Sequence, residues 1–251
     1  MSELGTSEPA TIERPVTTWL EEWRAITLTG IILGALVGGV GGRVAMFVLR
    51  LTSSDSVRGV ISDDGFEIGR VTLAGSYDLM VLSAGIGVIG AGAYALVERW
   101  LIGPSWFRRV TSALGAGAVV GAMLVHADGI DFTLLGPVWL AIAFFVAIPA
   151  LFGALVGPVL NWFRPDDPRA ASPGWWHWAA PVVAVACFPA IIPVVLVAGL
   201  VLAAGMAFQA AGVFTLLHEL AGYQVVIRVV WAGIAVLGLV ALVTDISAIY
   251  S

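Results

Sequence analysis

Residues 26–49 have the sequence ITLTGIILGALVGGVGGRVAMFVL, in which Arg43 is the single ionisable side chain. At 1.5 Å of rise per residue, a helix of this length extends about 36 Å, which exceeds the roughly 30 Å hydrocarbon core of a bilayer. A helix that is apolar on all sides needs an apolar environment on all sides. The segment therefore predicts a helix that crosses a membrane.

The composition of the whole chain agrees with a membrane environment. Of the 251 residues, 59% are hydrophobic and 12% are charged, whereas soluble domains average about 45–50% and about 25%. The apolar stretches long enough to cross a bilayer are six, at 26–49, 77–97, 109–126, 133–160, 179–204 and 225–246. We therefore predict an all-α membrane protein, a polytopic transmembrane bundle of six spans within 26–251. The apolar run after Pro181 continues to Leu217, which leaves seven spans as the alternative.

The same composition excludes several kinds of chemistry. All twelve basic residues are arginine, so the chain has no lysine for a Schiff base or a P-loop phosphate contact. Cys187 is the single cysteine, which excludes an intrachain disulfide and a Cys-x-x-Cys redox pair. The net charge of −5 argues against nucleic acid as a partner. The expected partner is the lipid bilayer, and no cofactor is predicted.

Arginine asymmetry predicts the orientation in a cell membrane. With six spans and a cytoplasmic N-terminus, seven arginines lie on the inner side and three on the outer side, with Arg43 and Arg228 just inside helix ends. The N-terminus and the C-terminus are then both cytoplasmic.

The first 25 residues are predicted to stay outside the hydrocarbon core. Residues 1–24 contain five Glu and two Arg, which is typical of an acidic tail and excludes a cleavable signal peptide. Trp19, Leu20, Trp23 and Ile26 then fall at helical spacing. This pattern predicts a short amphipathic helix in the headgroup plane before the first span.

Glycines recur at every fourth position in several of the predicted spans. Residues four apart share one helix face, and glycine there lets a neighbouring backbone approach closely. The glycines at this spacing are Gly30, Gly34, Gly38 and Gly42 in the first span, Gly117 and Gly121 in the third, and Gly153 and Gly157 in the fourth. They predict tight helix packing within the bundle, with a homo-oligomer or membrane-partner interface as the alternative.

Prolines within the fourth and fifth spans predict helix breaks. Each proline removes a backbone N–H and frees a carbonyl one turn earlier. Broken helices are tolerated in a membrane beside other protein or a wet cavity, and transporters place substrates there. The predicted breaks are at Pro149, Pro189 and Pro193.

Ionisable side chains within or at the ends of spans are candidates for function, because lipid makes them costly. Arg43 lies about two turns from the outer end of the first span, while Asp78 and Arg228 lie at the predicted outer starts of the second and sixth. An Arg43–Asp78 ion pair would neutralise both groups. Alternatively, the Arg43 guanidinium would bind a substrate anion in a bidentate manner.

The predicted outer loops carry a second group of polar candidates. Histidine and carboxylates are zinc ligands, and a bound metal would activate water for hydrolysis. No spacing here matches a known metal motif, since His218-Glu219 is followed by Gly222 where a second histidine would be needed. The group consists of Asp63, Asp64, Glu67, His126, Asp128, Asp131, His218 and Glu219.

Two connecting loops differ in their predicted organisation. The 50–76 loop carries Asp63-Asp64-Gly65 between two β-prone stretches, which predicts a small β-hairpin between the first and second helices. The connector at 161–178 is broken by prolines and balanced in charge, and is interpreted as an ordinary connector.

Three functional hypotheses follow from the sequence. The first is a permease- or channel-like protein for a small solute or ion, with its site between broken helices and Arg43. The second is a non-catalytic membrane scaffold or complex subunit. The third is a membrane-embedded, metal-dependent hydrolase. Six spans, little chain outside the membrane and weak catalytic constellations favour a permease or a scaffold over a hydrolase. The permease- or channel-like protein is the default prediction, and no catalytic residue is predicted.

Overall fold

The computed structural model describes residues 16–54, 57, 59–61, 72–164, 176–210 and 222–251. The regular secondary structure of these residues is helical. The predicted acidic tail lies outside the described residues, as does the centre of the predicted β-hairpin at 62–71.

The helices follow one another along the chain with few irregular residues between them. The first half contains α1 (Val16–Leu33), a π-helical segment (Gly34–Val40), α2 (Gly41–Thr52), α3 (Leu73–Val97), a 3₁₀ turn (Glu98–Trp100) and α4 (Ser105–Leu124). The second half contains α5 (Ile130–Thr133), α6 (Val138–Phe163), α7 (Trp176–Cys187), a 3₁₀ turn (Pro189–Ile191), α8 (Ile192–Ala210) and α9 (Tyr223–Ile249).

The first helix begins earlier than the sequence suggests. Residues 16–33 form one continuous helix, so the separate interfacial helix predicted before the first span is wrong. The polar residues Glu21 and Arg24 are 8% and 5% exposed, because they turn towards neighbouring helices of the bundle. The apolar stretch from α1 to α2 runs from Trp19 to Thr52.

The glycines of the first span lie against α3. A Cβ on Gly30 would lie 2.5 Å from the backbone N of Val88, and one on Gly34 would lie 2.8 Å from Cα of Ala84. Gly42 lies opposite Leu79. As residue numbers increase along the first span, the residue numbers of its contacts on α3 decrease. The two helices are therefore antiparallel, and their backbones are in contact.

A second antiparallel pair is formed by α4 and α6. Gly117 lies against Ala150 and Val146, and Gly153 packs on the backbone of Ser112. The remaining glycines of the pattern also face helices of the same chain. Gly38 meets Ser83, Gly121 meets Val146 and Leu242, and Gly157 meets Tyr94.

These contacts define two ends of the bundle. The Glu98 end contains the start of α1, the end of α3, the start of α4 and the end of α6. The Leu49 end contains the end of α2, the start of α3, the end of α4 and the start of α6.

If six spans alternated in direction, the last helix, α9, would run antiparallel to α4. In the structure α9 runs parallel to α4. It touches the 3₁₀ turn at the Glu98 end, Gly238 then lies against Val119, and Leu242 packs near Gly121. Ile246 and Ile249 join the apolar cluster of the Leu49 end. The last helix, α9, is therefore parallel to α4, and it ends at the end of the bundle opposite the start of α1.

Four helical stretches among the described residues are long and apolar enough to cross a membrane. They are Trp19–Thr52, Leu73–Trp100, Val138–Phe163 and Tyr223–Ile249. A fifth arises if α7 and α8 count as one span, although their axes differ by 106°. The 20-residue α4 is outside this set, since its first turns carry Arg108 and Arg109.

The three prolines that were predicted to break helices have different effects on the helices that contain them. Pro149 lies inside a continuous α6, so the predicted break there is not present. The break in the fifth span falls at Phe188, just before Pro189. Pro193 lies in the first turn of α8, where a missing N–H leaves no hydrogen bond unmade.

Candidate functional site

A large cavity runs along the bundle between two groups of helices. Its volume is about 1650 Å³. The π-helical segment, α2 and α3 form one wall, and α4, α6 and α9 form the other. Residues from both ends line it, from Trp100 and Phe107 at the Glu98 end to Leu49 and Leu135 at the Leu49 end. We call this space the bundle cavity.

The wall of the bundle cavity is mostly apolar, and its side opens between α3 and α9. Leu82 and Ile86 of α3 line the cavity, as do Val236 and Leu239 of α9, and each of these four side chains is more than half exposed. Among the described residues, α9 packs along α4 and contacts the 3₁₀ turn that follows α3, so a gap separates α3 from α9 in this part of the chain. The cavity is therefore continuous with the surroundings of the bundle.

Four charged side chains line the bundle cavity in the described part of the chain. Arg43, Arg50 and Asp131 lie towards the Leu49 end, and Arg228 lies towards the Glu98 end. Asp131 is buried, at 4% exposed, while the three arginines are half-buried. Three positive charges and one negative charge give the described lining residues a formal charge of +2, opposite in sign to the chain's net charge of −5.

The predicted pairing of Arg43 with Asp78 does not occur. Both residues are described, and Asp78 is exposed with no ion pair to Arg43. The reason is helical phase: Leu79 and Ser83 are the α3 residues that face the glycines of the first span, and Asp78 lies on another side of the helix. Arg228, expected beside Arg43 at an outer face, lies at the opposite end because α9 runs the other way.

The predicted polar cluster is only partly within the described residues. Asp63, Asp64, Glu67, His218 and Glu219 lie outside them. His126 and Asp128 are exposed near the end of α4, where the His126 ring Nδ1 lies 2.9 Å from the carbonyl oxygen of Leu124. Within the described ranges, no three His, Cys, Asp or Glu side chains come close enough together to hold a metal.

A cluster of ion pairs that was not predicted from the sequence lies at the Glu98 end of the bundle. The Arg164 guanidinium follows α6 and donates to both oxygens of Glu98, directly after α3, and to both oxygens of Glu22 from α1. It also donates from Nη1 to the Asn161 side-chain oxygen at 3.2 Å. All five N–H groups of the guanidinium are thereby used. One side chain ties three helix ends together.

Each member of this ion cluster is only about a quarter exposed, with Arg164 at 24%, Glu22 at 28% and Glu98 at 23%. Burial alone lowers the pKa of Arg164, but its hydrogen bonds to Glu98 and Glu22 outweigh burial, and the pKa is raised above the ordinary arginine value. Arg164 is therefore a permanent cation that holds two carboxylates.

A second arginine reinforces the same junction between α1 and α6. Arg24 of α1 donates from Nη2 to the carbonyl oxygen of Phe163, the last residue of α6, at 3.1 Å. The last carbonyls of a helix have no partner within the helix, and a cation there is favoured by the helix dipole. The α1–α6 contact is thus polar at this end and apolar along its length.

The break between α7 and α8 is held by aromatic side chains. The Tyr77 hydroxyl donates to the carbonyl oxygen of Cys187 at 3.0 Å, and its ring stacks on Phe188 with centroids 6.2 Å apart. Trp23 donates from Nε1 to the carbonyl oxygen of Val195 at 3.3 Å. Because α8 begins beside Gly85 and then passes Trp23, it runs towards the Glu98 end.

The sequence contains only a weak indication of the ion cluster. Glu22, Glu98 and Arg164 each lie at a predicted span end, and alternation of the first four spans places all three ends on one side. Nothing in the sequence brings these particular side chains together, since the connector that contains Arg164 resembles many others in composition.

Comparison with known protein families, with curated proteins and with solved structures finds no match to this chain.

Proposed function

We propose that this protein is a permease-like membrane protein and that the bundle cavity is its substrate site. The substrate expected from the sequence was a small solute or ion. The bundle cavity favours a larger and more apolar molecule, because its volume of about 1650 Å³ exceeds the 300–1,000 Å³ typical of sites for drug-sized ligands. A lipid-sized molecule fits this volume.

The observation that carries the proposal is the sideways opening of the cavity between α3 and α9. In a bilayer this opening faces acyl chains, so a lipid-soluble molecule would enter without crossing water. The half-exposed apolar side chains of Leu82 and Ile86 on one side, and of Val236 and Leu239 on the other, would contact such a molecule.

The proposal includes a topology that differs from six alternating spans. Five segments cross the membrane: α1 with α2, then α3, α4, α6 and α9. The α7–α8 pair enters and leaves at the Glu98 end, because α6 ends there and α9 begins there. With 20 residues, α4 is about 30 Å long, which is sufficient to cross.

The Glu98 end is proposed to face the cytoplasm of a cell membrane. Among the described arginines, two line the cavity towards the Leu49 end, and the others lie at the Glu98 end, namely Arg24, Arg99, Arg108, Arg109, Arg164 and Arg228. An excess of positive charge marks the cytoplasmic side. Exposed Trp106 and Trp162 lie at the same end, as expected of an interfacial aromatic belt. The N-terminus is then cytoplasmic and the C-terminus is outside.

A scaffold that docks partners through its glycine faces is less well supported. Those faces already contact helices of the same chain, as Gly34 does with α3 and Gly153 with α4. They are therefore not free to receive another protein.

The test is transfer of lipid between leaflets by the purified protein in vesicles. Proteoliposomes would contain traces of phosphatidylcholine or phosphatidylglycerol with a fluorescent NBD label on one short acyl chain, and dithionite would bleach the label in the outer leaflet. We expect the protein to expose inner-leaflet label of at least one of the two lipids to dithionite. Transfer of neither lipid by folded protein would contradict the proposal.

A matched pair of glycine variants tests whether lipid transfer takes place through the bundle cavity. Gly115 lines the cavity, and a Cβ there would meet nothing within 4 Å, so Gly115→Leu narrows the cavity without a clash. Gly233 of α9 is equally open but does not line it. We expect Gly115→Leu to slow lipid transfer several-fold and Gly233→Leu to leave it unchanged. Equal rates in the two variants would exclude the cavity as the route.

A further inference from the structure

The arginines of the bundle cavity indicate the charge of its occupant. A guanidinium stays charged at any physiological pH, and a charge within a membrane is costly unless an opposite charge or hydrogen-bond acceptor offsets it. Arg43, Arg50 and Arg228 line a wall that is otherwise mostly apolar, with Asp131 as the one acidic residue lining its described part. The lining is therefore complementary to a molecule with an apolar body and a negative group.

The position of Arg228 makes this complementarity specific. Its guanidinium Nε is buried and has no hydrogen-bond partner within the part of the chain that the structure describes. Trp231 of the same helix also lines the cavity, as do Tyr94 and Thr111 in its part towards the Glu98 end. The hydroxyl of Thr111 is occupied by hydrogen bonds to the carbonyl oxygens of Phe107 and Arg108. An anionic oxygen in the cavity would accept from Arg228.

We infer that the substrate is a lipid with an anionic headgroup, which Arg43 and Arg228 contact at two successive depths of the cavity. The inference rests on the proposed function and adds the class of lipid. Arg43 lies on α2 towards the Leu49 end, and Arg228 lies five residues into α9 at the Glu98 end. A headgroup that moves between leaflets passes from one guanidinium to the other, while its acyl chains stay in the opening between α3 and α9.

The membrane lipid, rather than a soluble anion, is the occupant that the geometry favours. A site for a soluble anion needs a polar path to water, whereas this wall is apolar between the arginines and open to the side. The only charged lining residues in the described part of the chain are the four already named.

The experiment compares NBD-labelled phosphatidylglycerol, which is anionic, with NBD-labelled phosphatidylcholine, which is zwitterionic, in otherwise identical proteoliposomes. A charge-assisted hydrogen bond is worth about tenfold in a rate or affinity. We therefore expect transfer of phosphatidylglycerol to be about tenfold faster. Arg228→Gln and Arg43→Gln should each reduce this preference, because they slow phosphatidylglycerol transfer more than phosphatidylcholine transfer, and Arg228→Lys should retain most of it.

The control variant is Arg99→Gln. Arg99 is exposed at the same end of the bundle, where its guanidinium lies 5.2 Å from the Trp100 ring centroid, and it does not line the cavity. Its removal deletes the same charge near the same membrane face, so we expect the lipid preference to persist. The melting temperature in detergent reports folding in every variant.

The possible failures separate the two proposals. Transfer of neither lipid and no release of trapped glycerol 3-phosphate by folded protein contradicts the permease function itself. Equal transfer of both lipids leaves that function in place and overturns the anionic preference. A preference that survives both Arg43→Gln and Arg228→Gln overturns the assignment to these arginines. Release of trapped glycerol 3-phosphate without lipid transfer would make the substrate a soluble anion and overturn the lipid assignment.

Discussion

The helices α3 and α9 are similar in length and apolar character, yet they are held in the bundle differently. The mean hydropathy of the most apolar stretch is 1.9 for α3 with the turn that follows it and 2.5 for α9. Seven residues of α3 are buried, whereas Leu242 is the one buried residue of α9. Hydropathy determines which helices enter a membrane. The contacts of small residues determine which helices pack.

The difference follows from the side chains on each surface. Gly87 of α3 fits against the backbone of Gly34, so the two helices approach to backbone contact. On α9, Gly238 approaches Val119 closely, but Gly233 faces open space. We infer that α3 belongs to a rigid half of the bundle and that α9 forms the less constrained side of the cavity opening.

The largest expected effect is a loss of stability at the contact between the first span and α3, the more tightly packed of the two helices compared. In Gly34→Leu the new Cβ would meet the carbonyl of Ser83 and lie 2.8 Å from Cα of Ala84. Backbone atoms cannot move aside as a side chain can, so overpacking should reduce the free energy of unfolding by about 3 kcal/mol or prevent folding. Thermal unfolding in detergent measures the change.

The control for this variant is the same substitution at Gly233 on α9. Because a Cβ there would meet no atom within 4 Å, Gly233→Leu should retain the wild-type melting temperature. Equal melting temperatures for the two variants would show that α3 and α9 are held alike, which would remove the basis of the comparison.

A smaller effect is expected at the ion cluster that joins α1, α3 and α6. Glu98→Gln removes the charge that Arg164 contacts on α3 and leaves Glu22 in place. Losing one partner of a fully buried pair costs about 3–5 kcal/mol. Since these side chains are about a quarter exposed, we expect about 1–2 kcal/mol, measured by denaturant unfolding. Asp78→Asn, at an exposed carboxylate, is the control and should change little.

The contribution of Arg164 should not depend on pH over the accessible range. The pKa of Arg164 is raised, and a group with a raised pKa stabilises the fold below its unfolded value and loses that effect above its folded value. The pKa of Arg164 in the unfolded chain and its raised pKa in the folded protein both lie above the pH range of the experiment. The stability difference between wild type and Arg164→Gln should therefore be constant from about pH 7 to pH 10. A marked fall in this range would contradict the assignment.

The smallest effect is expected at the α7–α8 break. Tyr77→Phe removes the hydrogen bond to the carbonyl of Cys187 and keeps the stacking on Phe188. A single hydrogen bond in a membrane protein contributes about 0.6 kcal/mol. We expect little change in stability but faster labelling of Cys187 by a maleimide. Tyr250→Phe, at the exposed C-terminus, should label like wild type, and an unchanged rate for Tyr77→Phe would exclude a role of this bond at the break.

The sequence predicted what depends on local spacing and missed what depends on how distant segments meet. Glycines four residues apart share a helix face, so the surface that Gly30 and Gly34 present was predictable. The direction of α9 was not, because it depends on the turn at Phe188, where no polar or glycine residue marks a reversal. The contacts of Arg164 require three helix ends that are far apart in sequence to converge, and residue type alone does not select them.

The central claim is that lipid uses the opening between α3 and α9, and closing that opening tests it most directly. Leu82→Cys and Leu239→Cys, combined in a Cys187→Ala background, place one thiol on each side of the opening. A reducible bis-methanethiosulfonate would link them, and lipid transfer would be measured in the same proteoliposomes before linking, after linking and after reduction. The account predicts that transfer stops when the link forms and returns when it is reduced. Unchanged transfer in fully cross-linked protein would contradict it.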